Sequence, residues 1–210
     1  FAAPRLDDFT ARVKGLGYAE IARGGGGIMG TVIGVRGSTE AELTAGLRRR
    51  AFDFLASGTT TIEAKSGYGL DLENELKILR ALRSAARRGP LEIVSTFLGA
   101  HAVPDELAGR KDEYLERVCA EMIPRVAREK LASFVDLFCE SGYFDLADLE
   151  RVASAGASAG LGLKVHAEQL TRLGSLAPAL RRGEGSVDHL DCASEADLPG
   201  LAGSGTVACL

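Results

Sequence analysis

Segments with the pattern of buried strands alternate with segments of helical periodicity from residue 38 onward, and this alternation limits the fold more than any other feature. Five of the six strand candidates are followed by a helix. The strand candidates are residues 59–64, 91–100, 134–140, 161–166, 186–190 and 206–210. A strand, a helix and a second strand in succession form a right-handed parallel crossover. The chain is therefore predicted to be an α/β protein built on one parallel sheet.

Six such units fit either an open doubly wound sheet or part of a (β/α)8 barrel. Polar residues inside the strands favour the barrel, because Thr61, Glu63 and Lys65 share one face of their strand, as do Lys164 and His166. Both faces of a doubly wound sheet lie under helices, where charge is costly. One face of a barrel is the interior, whose top is often polar and functional. We therefore predict a TIM-type barrel of which about six βα units are present.

The two ends of the sequence, its charge and its cysteines add further expectations. The chain starts at Phe1 and stops inside the strand candidate 206–210, and natural proteins avoid unpaired edge strands. We therefore expect residues 1–210 to be a single barrel domain truncated at both ends.

The net charge of −4 gives no reason to expect nucleic acid or an anionic membrane surface, and no apolar run reaches the roughly 18 residues of a membrane span. Four dispersed cysteines favour reduced thiols and a cytoplasmic location.

Each of the three histidines stands where a strand candidate meets a polar turn. The carboxyl ends of barrel strands converge on one face, so we expect the three imidazoles to meet there. His166 is the best candidate metal ligand, since neutral imidazole binds Zn²⁺ and Fe²⁺ well; a core histidine satisfied by a carbonyl group is the alternative. His189 is a candidate general acid or base near a metal-bound water, and a solvent-facing loop histidine is the alternative. His101 is a candidate partner for a substrate carbonyl or a developing oxyanion.

Other residues support different interpretations. Tyr68 lies in a glycine-flanked loop and offers a phenolic donor, and Arg5 is able to clamp a carboxylate; an ordinary surface role stays open for both. Lys164 lies on the same strand face as His166, which keeps open a barrel lyase or aldolase that uses a Schiff-base lysine, with Lys65 as the next candidate. A third interpretation is a non-catalytic fragment that lacks the full metal site.

Seven segments of the chain carry a family resemblance, and they are EIARGGGGI, GTTTIEAKSGYGLDLENELKILR, FLGAHAVP, DLFCESGYF, LKVHAEQL, SVDHLD and GTVACL. In this order they resemble the imidazolonepropionase family of the amidohydrolase superfamily. The segment SGYGLDLE followed by ELK is highly specific, and HAEQL followed by DHL adds independent weight. The resemblance implies a metal-dependent (β/α)8 hydrolase, commonly a homodimer. Such an enzyme opens the ring amide of 4-imidazolone-5-propionate with water, giving N-formimino-L-glutamate in histidine catabolism.

The resemblance also implies roles for individual residues. His166 matches the family's metal ligand on the fifth strand, for one divalent zinc or iron ion. Gln169 matches a position beside the substrate and the reactive water, and His189 matches a proposed proton-transfer histidine. Substrate contacts are implied for Arg5, Tyr18, Tyr68 and His101. The family's H-x-H ligand pair would lie before Phe1 and its aspartate ligand beyond Leu210, and its small β-rich domain is likewise outside residues 1–210.

Overall fold

The computed structural model describes residues 5–87, 89, 91–182 and 185–210, apart from the side chains of residues 18, 19 and 22. Within these ranges four α-helices come first, and from the first strand onward each strand is separated from the next by one or two α-helices. The helices are α1 Leu6–Val13, α2 Tyr18–Arg23, α3 Ile28–Gly37, α4 Glu40–Ala56, α5 Leu72–Ala86, α6 Lys111–Arg117, α7 Ile123–Arg128, α8 Leu146–Ser158, α9 Leu176–Arg181 and α10 Leu198–Ser204. The strands are β1 Thr61–Lys65, β2 Glu92–Ala100, β3 Phe134–Cys139, β4 Gly162–Ala167, β5 Ser186–His189 and β6 Val207–Cys209.

The six described strands form one parallel sheet in which they follow one another in chain order, from β1 to β6. A doubly wound sheet reverses its strand order at a switch point, and these six strands show no reversal. Successive right-handed crossovers in one direction place their helices on one face of the sheet. The α/β class and the parallel sheet are therefore confirmed, and the strand order is the one a barrel requires.

Ion pairs across the sheet show that it is strongly curled. The Lys65 ammonium on β1 lies 2.9 Å from the Asp188 carboxylate on β5, and the Lys164 ammonium on β4 lies 3.2 Å from Glu63 on β1. In a flat sheet β1 and β5 would be about 19 Å apart, four spacings of about 4.8 Å, which these side chains are too short to bridge. The polar residues that share one strand parity therefore face the concave side of the curled sheet.

The hydrophobic core lies between the helices and the convex side of the sheet. Leu76, Leu79 and Leu82 form one stripe of α5 and are at most 2% exposed, as the helical spacing predicts. On β3, Val135 and Leu137 are buried in the same cluster, and side chains of the other parity point to the concave side. Within the described ranges, every helix is too short or too polar to span a bilayer.

Helix starts agree with the predicted ones where capping residues are present. The Thr39 side chain accepts a hydrogen bond from the Glu42 amide, and the Glu42 carboxylate accepts one from the Thr39 amide, which is the predicted capping box at the start of α4. Asp71 caps α5 by accepting from the Asn74 amide at 2.8 Å. These caps satisfy amide groups that a helix leaves without internal partners.

One helix is shorter than predicted. The sequence pattern predicts a helix from Leu170 to Arg182, whereas α9 begins only at Leu176. The amides of Leu170 and Thr171 donate to the carboxylate of Glu140, which directly follows β3. Gly174 has a φ of 81°. The segment before α9 is therefore a loop that Glu140 holds in place. Tertiary hydrogen bonds therefore override the helical periodicity here.

Candidate active site

The three imidazoles meet at the carboxyl ends of three strands of the sheet, β2, β4 and β5. His101 directly follows β2, His166 lies near the end of β4, and His189 ends β5. The ring centroids of His101 and His166 are 6.3 Å apart, and those of His166 and His189 are 5.3 Å apart. The convergence expected from the three strand ends is therefore present in the fold.

A buried carboxylate orients His166. Nδ1 of His166 lies 3.1 Å from Oδ1 of Asp136, a residue of β3 that is 0% exposed. Burial alone would lower the pKa of His166, but the Asp136 charge and hydrogen bond outweigh it and raise that pKa. Conversely, burial opposes ionisation of Asp136, and His166 and Lys65 outweigh it, so the pKa of Asp136 lies well below its usual range.

The Lys65 ammonium contacts three carboxylates on the concave face. Its Nζ lies 2.8 Å from Asp136, 2.9 Å from Asp188 and 2.9 Å from Glu63. Although burial of the amine opposes its charge, the attraction of Asp136 and Asp188 outweighs that cost and raises the pKa of Lys65. Lys65 is therefore held as a cation, which does not favour a role for it as a Schiff-base nucleophile.

Ligand atoms of Asp136, His166 and Asp188 lie within 4.8 Å of one another, a spacing that suits a metal ion. Both carboxylates already contact the Lys65 ammonium, so the protein itself compensates part of their charge. His166, unlike these carboxylates, has a ligand atom that no cation of the described part of the chain contacts. Its Nδ1 faces Asp136, which leaves the Nε2 lone pair for a ligand bond, the arrangement that commonly supports metal-bound histidines.

The sequence predictions did not include Asp136 or Asp188 among the site residues. Both lie on the strand parity that carries His166, since Asp136 pairs with Lys164 and His166 pairs with Asp188 across the ladder. Asp136 and Asp188 share the strand face of Lys65 and Lys164, and this alternation on β3 and β5 is a signal visible in the sequence.

His101 is 9% exposed and is hydrogen-bonded through one ring nitrogen. Nδ1 lies 2.8 Å from the carbonyl oxygen of Gly67, and the ring packs edge-on against Tyr68 with centroids 5.0 Å apart. Burial lowers the pKa of His101 to about 4, so the ring is neutral at pH 7. A carbonyl oxygen only accepts, so the single proton of the neutral ring is on Nδ1 and Nε2 is an acceptor. The oxyanion role predicted for His101 requires a donor at Nε2 instead.

The loop that carries Gly67 and Tyr68 is held by a buried carboxylate from α5. Glu75 is 0% exposed and accepts hydrogen bonds from the amides of Gly67, Gly69 and Leu70 at 2.6–2.9 Å. Three amide donors are sufficient to compensate a buried carboxylate. Glu75 was absent from the sequence predictions, because an acidic residue in the first turn of a helix is usually solvated.

Arg5 lies next to this loop. Its guanidinium is 5.7 Å from the centre of the Tyr68 ring, and its Nε donates to the Thr31 hydroxyl at 2.8 Å. Arg5, Tyr68 and His101 therefore form a continuous row that leads to His166. The predicted contact at Tyr18 stays a prediction, because the side chain of that residue lies outside the described part of the chain.

His189 and Gln169 lie at the same end of the sheet. Burial first, and then the neighbouring His166, lower the pKa of the half-buried His189. Gln169 follows β4 in the loop that Glu140 holds through the amides of Leu170 and Thr171. His189 is thus close to His166 in space, and Gln169 is close to it in the sequence. The chemical roles of both residues stay predictions.

No family model matches this chain. Over all 210 residues, however, it is 48% identical to an imidazolonepropionase of Shewanella halifaxensis (strain HAW-EB4) and 47% identical to those of Ectopseudomonas mendocina (strain ymp) and Paraburkholderia phymatum. The chain is similar to imidazolonepropionases throughout its length. The resemblance inferred from the seven segments is thereby confirmed.

The alignments with imidazolonepropionases cover 100% of this chain and 52% of each of these relatives. The chain thus spans about half the length of the curated imidazolonepropionases it matches. Among solved structures, a dipeptide epimerase of Methylococcus capsulatus in complex with Mg ion aligns with a TM-score of 0.23 and 14% identity, over 70% of this chain and 50% of that chain. That likeness is too weak to support any conclusion about fold or function.

Proposed function

We propose that the protein carrying this chain hydrolyses the ring amide of 4-imidazolone-5-propionate to N-formimino-L-glutamate, a step of histidine breakdown. The observation that carries this proposal is the identity of 47% to 48% with imidazolonepropionases over all 210 residues. The row of side chains from Arg5 through Tyr68 and His101 to His166 supports it, because these residues match the family's site positions and lie together in space.

We also propose that the six strands are part of a closed (β/α)8 barrel of the metal-dependent hydrolase kind. The strand order and the curl of the sheet support closure, since a barrel keeps strands in sequence and turns one face inward. In this proposal residues 1–210 form a single catalytic domain. The remaining strands, the H-x-H and aspartate ligands and the small β-rich domain would come from sequence outside residues 1–210.

The residues present fit one divalent zinc or iron ion at His166. The fit rests on the Asp136 carboxylate behind Nδ1, which directs Nε2 toward a ligand. When bound, such an ion lowers the pKa of water and polarises a carbonyl group. His166 would hold it from this chain, and Lys65 would stay ion-paired with Asp136 and Asp188.

The chain's own residues would then bind and protonate the substrate. Arg5 and Tyr68 would hold the propionate arm and the ring, so that the attack on the ring carbonyl becomes effectively intramolecular. Water adds its oxygen to the carbonyl carbon, the carbon–nitrogen bond of the ring breaks, and a proton moves to the departing nitrogen. His189 would carry that proton, and Gln169 would orient the water.

A cytoplasmic location, a homodimer and a small-molecule substrate belong to the same proposal. Location is supported by the four cysteines, which are all free thiols, as expected in a reducing compartment. The homodimer rests on the family resemblance alone.

The test is ring opening by the polypeptide extended at both ends to the length of its relatives. We expect hydrolysis of 4-imidazolone-5-propionate that a chelator abolishes, with about one zinc or iron per chain. His166→Ala should lose the metal. The metal content of the 210-residue chain, measured in parallel, shows whether its own residues are enough to retain the metal. Failure of the extended protein to hydrolyse the substrate would refute the proposal.

A Schiff-base enzyme is the second candidate. The position of Lys164 on the concave face favours it, but the Lys164 ammonium contacts Glu63 at 3.2 Å and Ser186 at 3.2 Å, whereas a Schiff base needs a free amine. Borohydride trapping of a substrate adduct in the wild-type protein but not in Lys164→Met would favour this alternative. Hydrolysis without trapping would exclude it.

A further inference from the structure

The start of α1 is not held in the fold by hydrophobic packing among the described residues. None of the eight residues of α1 is buried, and its apolar side chains Leu6, Phe9 and Val13 are 66% to 71% exposed. Helices in proteins owe most of their stability to the packing of an apolar face. Within the described part of the chain, the position of Arg5, which directly precedes α1, therefore depends on polar contacts.

Two polar contacts join this segment to the start of α3. The Asp8 carboxylate accepts a hydrogen bond from the Gly27 amide at 2.8 Å, across 19 positions of the chain. Nε of Arg5 donates to the Thr31 hydroxyl at 2.8 Å, across 26 positions. Asp8 thereby fixes the backbone close to Arg5, and Thr31 fixes the Arg5 side chain itself.

The helix α3 is a firm support for Thr31. Thr31 is 0% exposed, and the apolar residues beside it in α3 pack into the hydrophobic core. Near the other end of α3, Nε of Arg36 donates to the Gly69 carbonyl at 2.8 Å, and Nη2 of Arg36 lies 2.7 Å from the Glu106 carboxylate. The same helix is thus tied to the loop that carries Tyr68 and to the loop that follows β2.

We propose that Thr31 is a positioning residue whose hydroxyl oxygen fixes the direction of the Arg5 guanidinium before a substrate carboxylate arrives. The guanidinium is planar, so the hydrogen bond at Nε and the Tyr68 ring centre 5.7 Å away together restrain its orientation. The inference deepens the proposed function and rests on it for the carboxylate that Arg5 binds. Ordering a side chain in advance reduces the entropy lost on binding, so losing this restraint should weaken binding about 3- to 10-fold.

The contact between Thr31 and Arg5 is measurable without any ligand, as hydrogen exchange of the Arg5 Nε–H group in the ¹⁵N-arginine-labelled extended protein. Arg5→Lys identifies the signal. We expect Thr31→Val, which keeps the shape but removes the hydroxyl, to speed this exchange about 10-fold, and Thr31→Ser to retain slow exchange. Thr44→Val is the matched control, because the Thr44 hydroxyl donates to the Glu40 carbonyl within α4. Equal exchange in Thr31→Val and the wild type would overturn the proposal.

Steady-state kinetics of the extended protein separate positioning from a general structural effect. We expect Thr31→Val to raise KM for 4-imidazolone-5-propionate about 3- to 10-fold with kcat unchanged, because Arg5 would bind the propionate arm and not the ring carbonyl. Thr31→Ser should keep the wild-type KM. In an Arg5→Ala background, Thr31→Val should change KM no further, since the two residues act as a unit. A lower kcat with unchanged KM, or independent effects of the two substitutions, would overturn the proposal.

The two measurements distinguish failure of this inference from failure of the proposed function. If the extended protein does not hydrolyse 4-imidazolone-5-propionate, the proposed function fails, and exchange of the Arg5 Nε–H group still decides whether Thr31 holds the guanidinium. Hydrolysis with an unchanged KM in Thr31→Val would overturn the inference and leave the proposed function intact. If Thr31→Val does not fold, Thr31→Ala takes its place. Exchange in the wild type as fast as in free arginine would overturn the inference without any variant.

Discussion

The Asp136 carboxylate and the His166 imidazole face each other, with Nδ1 of the imidazole 3.1 Å from Oδ1 and 3.0 Å from Oδ2. The two residues lie on the neighbouring strands β3 and β4. A carboxylate behind a histidine fixes the ring orientation and makes its other nitrogen a better ligand. The ability of this site to hold a cation should therefore depend on a residue that is not itself required as a ligand.

Asp136→Asn should weaken metal binding by the extended protein about 10- to 100-fold. The amide keeps the size of the side chain but removes the charge that orients His166. Competition with a chelator of known zinc affinity measures the change. Glu150→Gln, which removes a carboxylate that is ion-paired with Arg182 on the surface, should leave the affinity unchanged. Equal affinities for Asp136→Asn and the wild type would show that Asp136 does not support the ligand.

Lys65→Met should lower the free energy of unfolding by about 3 kcal/mol, because it leaves buried carboxylates without their cation. This loss is at the lower end of the range usual for breaking a buried ion pair, since the Lys65 side chain keeps 20% of its surface exposed. Urea denaturation measures the loss. Lys14→Met, at an exposed position beside α1, should change stability by no more than about 0.5 kcal/mol. Similar losses in both variants would show that the ion pairs of Lys65 do not stabilise the fold.

Glu140 should make stability depend on pH in the acid range. Burial raises the pKa of Glu140, but hydrogen bonds from the Thr171 hydroxyl and the Leu170 amide outweigh it and lower that pKa below its ordinary value of 4.5. The ionised group therefore stabilises the fold fully above pH 4.5, and this contribution is lost as the pH falls through the lowered pKa.

Glu140→Gln should accordingly be less stable than the wild type by about 1–3 kcal/mol at about pH 6, and the difference should shrink toward about pH 3. Denaturation midpoints at a series of pH values give both quantities. Glu121→Gln, at an exposed position of the same chain, provides the control. A difference that is constant over this pH range would show that the Glu140 charge is not responsible.

Gly67→Ala tests how closely the loop approaches β2. Gly67 has a φ of +94°, and an added Cβ would lie 2.6 Å from the Leu98 carbonyl oxygen. Gly58 has a similar φ of +87° but nothing within 4 Å of the added atom. Gly58→Ala should cost about 1 kcal/mol of backbone strain, and Gly67→Ala about 1–3 kcal/mol more. Equal costs in thermal or urea unfolding would mean that the loop can move away from Leu98.

Arg5→Ala in the extended protein should raise KM for 4-imidazolone-5-propionate about 10- to 100-fold, because a charge-assisted hydrogen bond to the propionate is lost. Steady-state kinetics measure the change. Arg12→Ala is the matched control, since Arg12 is an exposed residue of α1. An unchanged KM for Arg5→Ala would exclude the clamp.

The alternation of elements was predictable from the sequence because periods of 2 and 3.6 are local properties. The contact of Lys65 with Asp136 joins residues 71 positions apart, so it depends on the register and curl of the sheet. The loop before α9 was predicted as helix, because the carboxylate of Glu140 that binds its amides lies 30 positions earlier. The strand-end positions of the histidines were visible in the sequence, whereas the protonated nitrogen of His101 follows only from the position of the Gly67 carbonyl.

Loops at the edge of the site are tied by carboxylates from within the protein, Glu75 for residues 67–70 and Glu140 for residues 170–171. A small molecule that enters between them meets groups that already have their final orientation. Little conformational entropy is then lost when it binds, and the affinity is governed by how well its own donors and acceptors match those groups.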